Sequence, residues 1–430
     1  MPSPEPAGPD AHRPSPFTAA PGGDLRSVDD HLREVLAAVD PLTPYEQPLL
    51  DAAGLPLVHG VHAPIDLPRF TNSAMDGYAV RHQDVLDARQ DRPTHLPVVG
   101  ESAAGQSGPF GMPPGTSMRI MTGAAVPAGA DSVVPVEWTD AGAATVRIYR
   151  SPTLGQHVRL IGEDVAAGDE LLVAGTLLGP REIGLLAGVG IGRVRTRPRP
   201  RVVVLSTGNE LREPGQSLGF DSVYDANSYL LAAAVRAAGA IPYRVGIVGD
   251  DPRTFADTLS DQLVRADLVV TSGGVSKGAY DVVKDVLSQL GTVRFVEVAM
   301  QPGKPQGIGR IGEDRTPIVT LPGNPVSAYV SFEVFVVPAL RRMMGKTPER
   351  RPLVQALLQG SLTSAPGRRQ FLRGRFTIEE DGAHVQAAGG AGSHLLGGLS
   401  QANALIVVPE DTTAVADGQS VAVLVLDREW

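Results

Sequence analysis

Glycine-rich segments that also carry polar or charged residues follow five predicted strands in the middle of the chain. They read STGNEL (206–211), VGDD (248–251), TSGGVSKG (271–278), MQPGKP (300–305) and LPGNPVS (321–327). Glycine turns let backbone N–H groups approach a ligand, and helix N-termini favour phosphate. Any one segment could use glycine for chain geometry alone, but the five together predict a site for an anionic, phosphate-rich ligand.

Acidic side chains occupy the same predicted strand ends. Glu210, Asp250 and Asp281 lie in or beside the glycine segments, and Asp251 follows Asp250 directly. Carboxylates next to phosphate loops are typical of a Mg²⁺ site, because the cation bridges carboxylate and phosphate oxygens that would otherwise repel one another. Asp250 or Asp251 fits equally well as the N-cap of a helix that begins at Pro252.

The elements that must position these residues alternate between strand and helix over residues 201–345. The predicted strands are RVVVLSTG, IPYRVGIVGD, DLVVTSGG, RFVEVAM and PIVTLPG, and the predicted helices cover 226–239, 252–265, 280–291 and 324–345. This alternation predicts a doubly wound, largely parallel sheet. Ligands bind beyond the carboxyl ends of such strands, so the glycine segments should share one edge.

The regions on either side of this alternation have a different pattern. Short β-like runs separated by glycine and proline over residues 66–158 predict a small β domain, and similar runs over 351–430 predict a second. Residues 159–196 are mixed, with a helix predicted to begin on Pro180. The fold class predicted from the residues is therefore a multidomain α/β protein.

The N-terminal region combines a proline-rich stretch with a predicted helix. Residues 1–23 contain seven prolines and no apolar core of a signal peptide, which predicts a disordered tail and a cytoplasmic protein. The helix is predicted at 25–39, where apolar residues recur at helical spacing. Ser27, with Asp30 three residues later, resembles a capping box.

Composition disfavours several functional classes. The net charge of −9 and the pI of about 5.5 argue against nucleic acid or an anionic membrane as the main partner. The chain has no cysteine, so it has neither a thiolate nucleophile nor a thiolate metal ligand. Any sulfur chemistry must use sulfur from the substrate. No apolar run reaches the roughly 20 residues of a membrane helix.

Other segments carry weaker signals. RVRTRPRPR (193–201) has five arginines, and its prolines favour an exposed interdomain linker over a phosphate-binding arm. His59 and His62 lack a third nearby metal ligand, so a metal site there is not favoured. The motifs GxxxxGK[ST], HExxH and GxSxG are absent.

Nine segments, taken in order, resemble one known family. They are NSAMDGYAV, RIMTGAAVPAGADSVVPVE, GQHVRLIGEDVAAGD, STGNEL, VYDAN, TSGGVSKGAYDVVK, MQPGKPQGIG, LPGNPVSAYV and GSHLLGGLSQANALIVVP. Together they closely resemble the molybdopterin molybdenumtransferases, the MoeA and gephyrin E-domain family. The resemblance runs from about residue 25 to the C-terminus, and the order of nine motifs makes it specific.

The resemblance implies four domains in an elongated homodimer. Domain I would comprise 25–66 and 158–197, β domain II 67–157, the molybdopterin-binding α/β domain III 198–346, and β domain IV 350–430, after a tail of residues 1–24. Each active site is expected between the α/β domain of one subunit and domains I and II of the other. Asp76 of NSAMDGYAV would then face the partner subunit's glycine segments.

The implied reaction uses adenylylated molybdopterin and molybdate. The adenylate is cleaved with Mg²⁺, molybdenum enters the pterin dithiolene, and AMP is released. This fits a phosphate-rich ligand whose own sulfur atoms bind the metal. Contacts with the molybdopterin adenylyltransferase and with molybdoenzyme acceptors would follow from this place in cofactor biosynthesis.

The resemblance also assigns roles to individual residues. It implies a catalytic set of Asp76, Thr122, Asp164, Glu210, Asp250 and Asp281, of which Glu210, Asp250 and Asp281 are the expected Mg²⁺ ligands. The expected substrate-binding residues are Ser272, Gly273, Gly274, Ser276, Pro302, Gly303, Lys304, Pro322, Gly323, Asn324, Arg373 and Ser393. The sequence departs from the family pattern at three positions, where Asn209 replaces a common aspartate, Gln301 a lysine of some members, and Lys277 a small apolar residue.

Three rival functions are weaker. The adenylyltransferase that makes the substrate and a nucleotide-cleaving enzyme would share the α/β domain type, but they would lack the NSAMDGYA and GEDV segments. A receptor-clustering scaffold, as in the gephyrin branch, would carry an additional N-terminal domain and a long linker. Only the short proline-rich tail precedes the matching region here.

Overall fold

The structure is a computed structural model, which describes residues 25–105, 111–249, 251–273, 282–289, 292–390 and 392–427. The predicted N-terminal tail lies outside the described residues, as do Asp250, Gly274, Ser276, Lys277 and Asp281. The described chain forms two compact units. We call residues 46–53 and 57–196 the β-rich unit, and residues 25–45, 54–56 and 197–427 the α/β-barrel unit.

The β-rich unit consists mainly of short strands. Its strands are β1 (Tyr45–Pro48), β2 (Val61–His62), β3 (Asn72–Ser73), β4 (Gly77–Val80), β5 (Thr94–Ser102), β6 (Ser117–Ile120), β7 (Ser132–Pro135), β8 (Thr145–Ile148), β9 (Val158–Arg159), β10 (Glu170–Leu172) and β11 (Arg193–Thr196). Its helices are α2 (Leu49–Ala52) and α3 (Pro180–Gly188), with 3₁₀ turns at His82–Val85 and Val136–Trp138. The predicted start of a helix at Pro180 is confirmed.

A five-stranded sheet is the largest element of the β-rich unit. Its strand order is β7-β4-β6-β5-β8, and the pairs β1–β11, β2–β10 and β3–β9 form separate two-stranded sheets. Tyr78, Val134 and Ile148 are fully buried in the core of the large sheet. A Cβ atom at Gly77 would lie 2.0 Å from the Val134 carbonyl oxygen, so only glycine lets β4 approach β7 this closely.

The α/β-barrel unit contains the longer elements. Its strands are β12 (Arg201–Thr207), β13 (Leu211–Arg212), β14 (Val223–Tyr224), β15 (Ile241–Val248), β16 (Leu268–Ser272), β17 (Arg294–Glu297), β18 (Met300–Gln301), β19 (Pro305–Ile311), β20 (Thr316–Leu321), β21 (Leu353–Gln359), β22 (Leu362–Thr363), β23 (Arg369–Glu379), β24 (Gly382–Ala387), β25 (Ala404–Val408), β26 (Ala414–Val415) and β27 (Ser420–Val425). Its helices are α1 (Val28–Ala38), α4 (Asn227–Ala237), α5 (Pro252–Leu263), α6 (Val282–Gln289), α7 (Pro325–Ser331), α8 (Val337–Met344) and α9 (Leu396–Ser400).

The doubly wound sheet has the strand order β15-β12-β16-β20-β19-β17. The first four strands are parallel, and β19 is antiparallel to both of its neighbours. The central strands are fully buried because helices cover both faces of such a sheet. The predicted fold class is confirmed. Strand β19 is present in the sheet but was not predicted from the sequence.

Helix starts in the α/β-barrel unit follow the predicted capping chemistry. The Ser27 side chain accepts a hydrogen bond from the Asp30 N–H at the start of α1. Asp251 caps α5 by accepting from the Thr254 N–H at 2.7 Å, with Pro252 in the first turn. Of the two roles left open for Asp251, the structure therefore supplies the capping one.

The predicted single helix over 324–345 is interrupted. A π-helical turn at Phe332–Val336 separates α7 from α8. Pro338 has no N–H to donate to the preceding turn, and a π turn is one way to accommodate that loss within a continuous helix. Gly345 ends α8 in the left-handed conformation.

The C-terminal β region forms a closed barrel. Its strands pair in the order β23-β24-β21-β27-β25, and the additional β23–β25 pairing closes the ring. The predicted strand RFVEVAM is divided, because β17 pairs within the doubly wound sheet whereas β18 pairs with β23 of the barrel. Within the described residues, no helix combines the length and apolarity needed to span a bilayer.

The four-domain boundaries stay a prediction. The structure packs α1 into the core of the α/β-barrel unit, where Leu32 and Val35 join the cluster that also contains Val204 and Phe335. The segment predicted as the first part of domain I, residues 25–66, is thus shared between the two compact units.

Candidate functional site

The glycine turns after the parallel strands lie side by side. The Gly208 N–H donates to the Val248 carbonyl at 3.4 Å, and the Gly273 N–H donates to the Leu321 carbonyl at 3.2 Å. These bonds connect the ends of β12 with β15 and of β16 with β20. The predicted shared edge is present, because parallel strands in register must end together.

The turn at Gly273 has a constrained backbone. Its φ is +91°, and a Cβ atom there would lie 3.1 Å from the Thr207 carbonyl oxygen. Ser272 beside it is buried, and its hydroxyl lies 3.0 Å from the Ser206 hydroxyl. The Ser272 side chain therefore fixes the ends of two strands, and its contribution to a ligand site would come from the turn that it positions.

Glu210 is exposed at this edge. Its carboxylate oxygens lie 2.6 Å from the position that a Cβ atom on Gly208 would take, so glycine makes room for the side chain. The Glu210 carbonyl accepts from the Val223 N–H at 2.9 Å, which anchors the loop. Within the described ranges, the Glu210 carboxylate forms no ion pair. The other predicted Mg²⁺ ligands, Asp250 and Asp281, lie outside the described residues.

Buried polar side chains hold the 302–304 loop in place. The Gln306 amide donates to the Gly303 carbonyl at 2.6 Å and to the Ser331 hydroxyl at 2.7 Å. A Cβ atom on Gly303, whose φ is +104°, would lie 2.7 Å from the Ser331 hydroxyl. The Lys304 ammonium group lies 2.9 Å from Glu297, so its charge is partly neutralised.

The 322–324 loop contacts the C-terminal region. The Asn324 amide donates to the Ser393 hydroxyl at 3.0 Å, and the Val326 N–H donates to the Ser393 carbonyl at 3.1 Å. The Asn227 amide donates to the Gly323 carbonyl at 2.7 Å. The structure thus brings the predicted residues Gly323, Asn324 and Ser393 together, with Pro322 buried behind them.

Arg373 on β23 has an enclosed guanidinium group. It donates to the carbonyl of Leu395 at 3.0 Å, to that of Gly392 at 3.2 Å, and to that of Gly390. The side chain is buried, and this burial lowers the pKa of Arg373 below its usual value. The three bonds fix the loop that carries Ser393.

Arg373 also lines a cavity of about 210 Å³ within the α/β-barrel unit. The cavity is bounded by Gln301, Pro302, Val326, Gln370, Arg373 and residues 387–390, among others. The walls are therefore partly apolar and partly amide, with one buried cation. Such a cavity suits a small anion because a positive charge in a low-dielectric wall attracts it strongly.

The β-rich unit carries the predicted residues Asp76 and Thr122. The Asp76 carboxylate accepts from the Thr122 N–H at 2.6 Å and from its hydroxyl at 2.8 Å. These two bonds lower the pKa of Asp76, first through the backbone donor. Asp76 lies on the connection between β3, which pairs with β9, and β4, which begins at Gly77 and pairs with β6 and β7.

Asp164 lies on a neighbouring segment. The antiparallel β3–β9 pair aligns Asn72 with Arg159, and the Asp164 N–H donates to the Leu67 carbonyl at 3.1 Å. The side chain of Asp164 is exposed. Asp76, Thr122 and Asp164 are therefore carried by segments that pair with one another in one unit.

Several residues that hold the loops of the site were not predicted from the sequence. Gln306 and Ser331 hold the 302–304 loop, and Asn227 holds the 322–324 loop. No local pattern marks the contacts other than that of Gln306 with Gly303, because Gln306 and Ser331 are 25 positions apart in the chain and Asn227 and Gly323 are 96 positions apart. Among the described residues, the only three-residue group arranged to hold a metal ion is Glu379, Asp381 and His384 of the barrel, which the sequence reading did not include.

Comparisons with known families match almost all of the chain. Residues 26–190 match the MoeA N-terminal region (domain I and II), residues 203–342 match the probable molybdopterin binding domain, and residues 355–426 match the MoeA C-terminal region (domain IV). These matches cover the β-rich unit, the doubly wound sheet and the barrel in the order that the motifs predicted.

Individual relatives agree with the family matches. Molybdopterin molybdenumtransferase 2 of Mycobacterium tuberculosis is 47% identical over 405 residues, which is 93% of this chain and 99% of the relative. A molybdopterin molybdenumtransferase of Nostoc is 38% identical over 381 residues, 87% of each chain. A crystal structure of the MoeA protein from Pyrococcus horikoshii is 31% identical and superposes with a TM-score of 0.77, covering 95% of this chain and all of the other. The chain therefore belongs to the molybdopterin molybdenumtransferase family, transferases of molybdenum cofactor biosynthesis.

Proposed function

We propose that this transferase inserts molybdenum from molybdate into adenylylated molybdopterin and releases AMP in a Mg²⁺-dependent step. The observation that carries the proposal is the shared edge of the doubly wound sheet. There the turns at Gly273 and Gly323 lie next to each other, and the exposed carboxylate of Glu210 lies beside the turn at Gly208. Such an edge is the usual ligand site of an open α/β sheet, and backbone N–H groups at glycine turns favour phosphate.

The edge suits a divalent cation beside a phosphate. Glu210 is exposed and has no ion-pair partner in the described part of the chain, so its carboxylate is available as an oxygen ligand. We assign Glu210, Asp250 and Asp281 as the residues that would hold Mg²⁺. When bound, the ion would neutralise the diphosphate and stabilise the charge that develops as AMP leaves.

The cavity beside Arg373 supports a separate place for molybdate. Its buried guanidinium supplies positive charge, and the loop that carries Ser393 is fixed by bonds to Arg373 and Asn324. We propose that Arg373 and Ser393 orient the oxyanion next to the 302–304 loop. Pro302 shares the cavity wall with Arg373, which is consistent with this role.

The β-rich unit supports a role for Asp76 in the same reaction. Two hydrogen bonds from Thr122 keep the carboxylate ionised and fixed in orientation. Exposed apolar side chains lie on the neighbouring segments, namely Phe70, Met75, Leu160 and Ile161. Such a surface is typical of an interface. We propose a homodimer in which Asp76, Thr122 and Asp164 serve the active site of the partner subunit.

The cellular setting follows from the proposed reaction. The substrate is made, and the product consumed, by other proteins of cofactor biosynthesis, so we propose a cytoplasmic enzyme. Direct contacts with the molybdopterin adenylyltransferase and with molybdoenzyme acceptors would protect the labile product during transfer.

The test is a reconstitution with purified components. The protein is mixed with adenylylated molybdopterin, Mg²⁺ and molybdate, and both AMP and pterin-bound molybdenum are measured. We expect AMP to appear only when molybdate and Mg²⁺ are both present, together with metal insertion. Substrate binding without AMP release under these conditions would contradict the proposal.

A further inference from the structure

The first described residues of the chain bind directly to the strand that precedes the 302–304 loop. The Arg26 N–H donates to the Glu297 carbonyl at 3.0 Å, and the Ala299 N–H donates to the Arg26 carbonyl at 2.7 Å. The Ala299 carbonyl then accepts from the Arg369 N–H at 2.9 Å. The residues just before α1, the connection between β17 and β18, and the start of β23 therefore form one hydrogen-bonded junction.

A single carboxylate of α1 holds the barrel side of this junction. Asp29 accepts from the Arg369 guanidinium at 2.9 Å with one oxygen and from the Arg350 guanidinium at 2.9 Å with the other. Arg350 belongs to the segment between α8 and the barrel, and Arg369 begins β23. Arg369 also pairs with Glu410 at 3.0 Å, but that contact lies within the barrel and does not connect it to α1.

The strand fixed in this way carries Arg373. In β23, Arg369 pairs with Met300, and Gln370 pairs with Gln301, the residue before Pro302. Arg373 lies four residues further along the same strand, which places it on the same face as Arg369. A shift of β23 relative to β18 would therefore move Arg373 relative to the 302–304 loop and change the shape of the cavity between them.

We propose that Asp29 is a positioning residue for the oxyanion site, acting by holding β23 against the 300–304 segment. The identity of the oxyanion as molybdate rests on the proposed function. Asp29 does not line the cavity, and it acts through Arg369 and the strand that Arg369 begins. Its carboxylate is 44% exposed, and exposed ion pairs contribute little to overall stability, so its loss should leave the protein folded.

The test compares Asp29→Asn with Asp30→Asn. In Asp29→Asn an NH₂ group, which cannot accept a hydrogen bond, replaces one of the two carboxylate oxygens, so one arginine loses the oxygen to which it donates. Among the described residues, the Asp30 side chain bonds to Ser27 and Arg33, which are close neighbours in the chain. Both variants lose one charge from the first turn of α1, which makes them a matched pair. Asp29→Glu keeps the charge and both oxygens and serves as the rescue variant.

Two readouts are needed. The first is amide hydrogen exchange of peptides that cover residues 298–304 and 369–373, which requires no ligand. The second is calorimetric titration of the full-length protein with molybdate, with adenylylated molybdopterin titrated separately. For Asp29→Asn we expect faster exchange in both peptides and a molybdate Kd raised on the order of tenfold, because small displacements of an orienting group are costly. Asp30→Asn and Asp29→Glu should resemble the wild type.

Several results would overturn the inference. Unchanged exchange in Asp29→Asn, or an equal change in Asp30→Asn, would show that Asp29 does not hold the strand. Faster exchange with an unchanged molybdate Kd, or an equal loss of affinity for both ligands, would show a structural role without positioning. A wild-type protein that fails to bind molybdate would contradict the proposed function instead, and the exchange comparison would still decide whether Asp29 fixes the junction.

Discussion

Asp76 of the β-rich unit and Arg373 of the α/β-barrel unit are charged groups held in opposite ways. Asp76 is exposed and receives two hydrogen bonds from one residue, Thr122. Arg373 is buried and donates to three carbonyl groups of one loop. The first arrangement leaves a fixed carboxylate accessible to a ligand. In the second, the guanidinium group of Arg373 fixes the loop that carries Ser393 and places a positive charge in the cavity wall.

The difference follows from the two kinds of scaffold. The β-rich unit is built from short strands, so its site residues lie on connections and rely on local hydrogen bonds. The α/β-barrel unit has a fully buried central sheet whose strand ends are fixed by register. We therefore expect substitutions in the β-rich site to affect chemistry with little change in folding, and substitutions at the strand-end turns of the central sheet to affect both.

The largest effect is expected for Asp76→Asn. The amide cannot replace the carboxylate charge, so AMP release should fall on the order of 100-fold or more while thermal stability stays close to that of the wild type. Thr122→Val is the graded companion, since it keeps the backbone donor and loses the hydroxyl. Its activity should fall less. The acid limb of its pH–activity profile should move to higher pH, because one of the bonds that lower the pKa of Asp76 is gone. Nearly normal turnover by Asp76→Asn would remove the β-rich unit from the proposed mechanism.

A second prediction concerns acid stability of the α/β-barrel unit. His31 is fully buried, packs edge-on to Phe335 at 4.7 Å, and within the described residues has no hydrogen-bond partner on either ring nitrogen. Burial, with help from the Arg26 charge, lowers the pKa of His31 to about 3. The unfolded chain would bind this proton below about pH 6.5, so the folded state loses stability as the pH falls from there towards 3.

The free energy of unfolding should fall by roughly 2 kcal/mol between pH 7 and pH 5, because the loss is about 1.4 kcal/mol for each pH unit below 6.5. His31→Leu should remove this component, so its thermal unfolding midpoint should change less with pH than that of the wild type. Unfolding is followed at several pH values for both proteins. Parallel pH curves would show that other groups cause the acid sensitivity.

The third prediction separates two glycines of the shared edge. Gly273→Ala would force an alanine to φ +91° and towards Thr207, which costs about 1–2 kcal/mol. We expect weaker binding of adenylylated molybdopterin and a lower unfolding midpoint. At Gly323 a Cβ atom would meet only an ordinary contact at 3.5 Å, so Gly323→Ala is the matched control. Equal effects of both substitutions would show that conformation at Gly273 is not the deciding property.

The smallest effect is expected for Gln301→Lys. Gln301 lines the cavity that contains Arg373, so a second cation there should tighten molybdate binding a few-fold at low ionic strength. Added salt should reduce the gain. Gln301→Met has a similar length without charge and should not tighten binding. A Gln301→Lys protein with unchanged or weaker affinity would argue that the cavity is not the oxyanion site.

Local patterns predicted much of the fold. The strands Arg201–Thr207 and Leu268–Ser272 are apolar runs that end in glycine turns, and this local pattern predicts both of them. The caps at Ser27 and Asp251 could be recognised because a side chain there bonds to an N–H three residues later. By contrast, β19 was missed because its glycines weaken the strand signal. A Cβ atom at Gly307 would lie 2.0 Å from the Thr320 hydroxyl, so the packing of β19 against β20 requires glycine there. Glycine is nevertheless disfavoured in strands, which hides the strand in the sequence.

By itself, the sequence determined the parallel sheet, the glycine turns at its edge, and, through the order of nine motifs, the family. The sheet and its turns depend on residues a few positions apart, and the family depends on the order of motifs along the chain. Only the tertiary structure decided that the Ser272 hydroxyl faces Ser206, that Arg373 bonds to carbonyls, and that Asp29 reaches Arg369. Asp29 and Arg369 are 340 positions apart in the chain, and no local pattern encodes a contact that only the packing of a helix against a barrel creates.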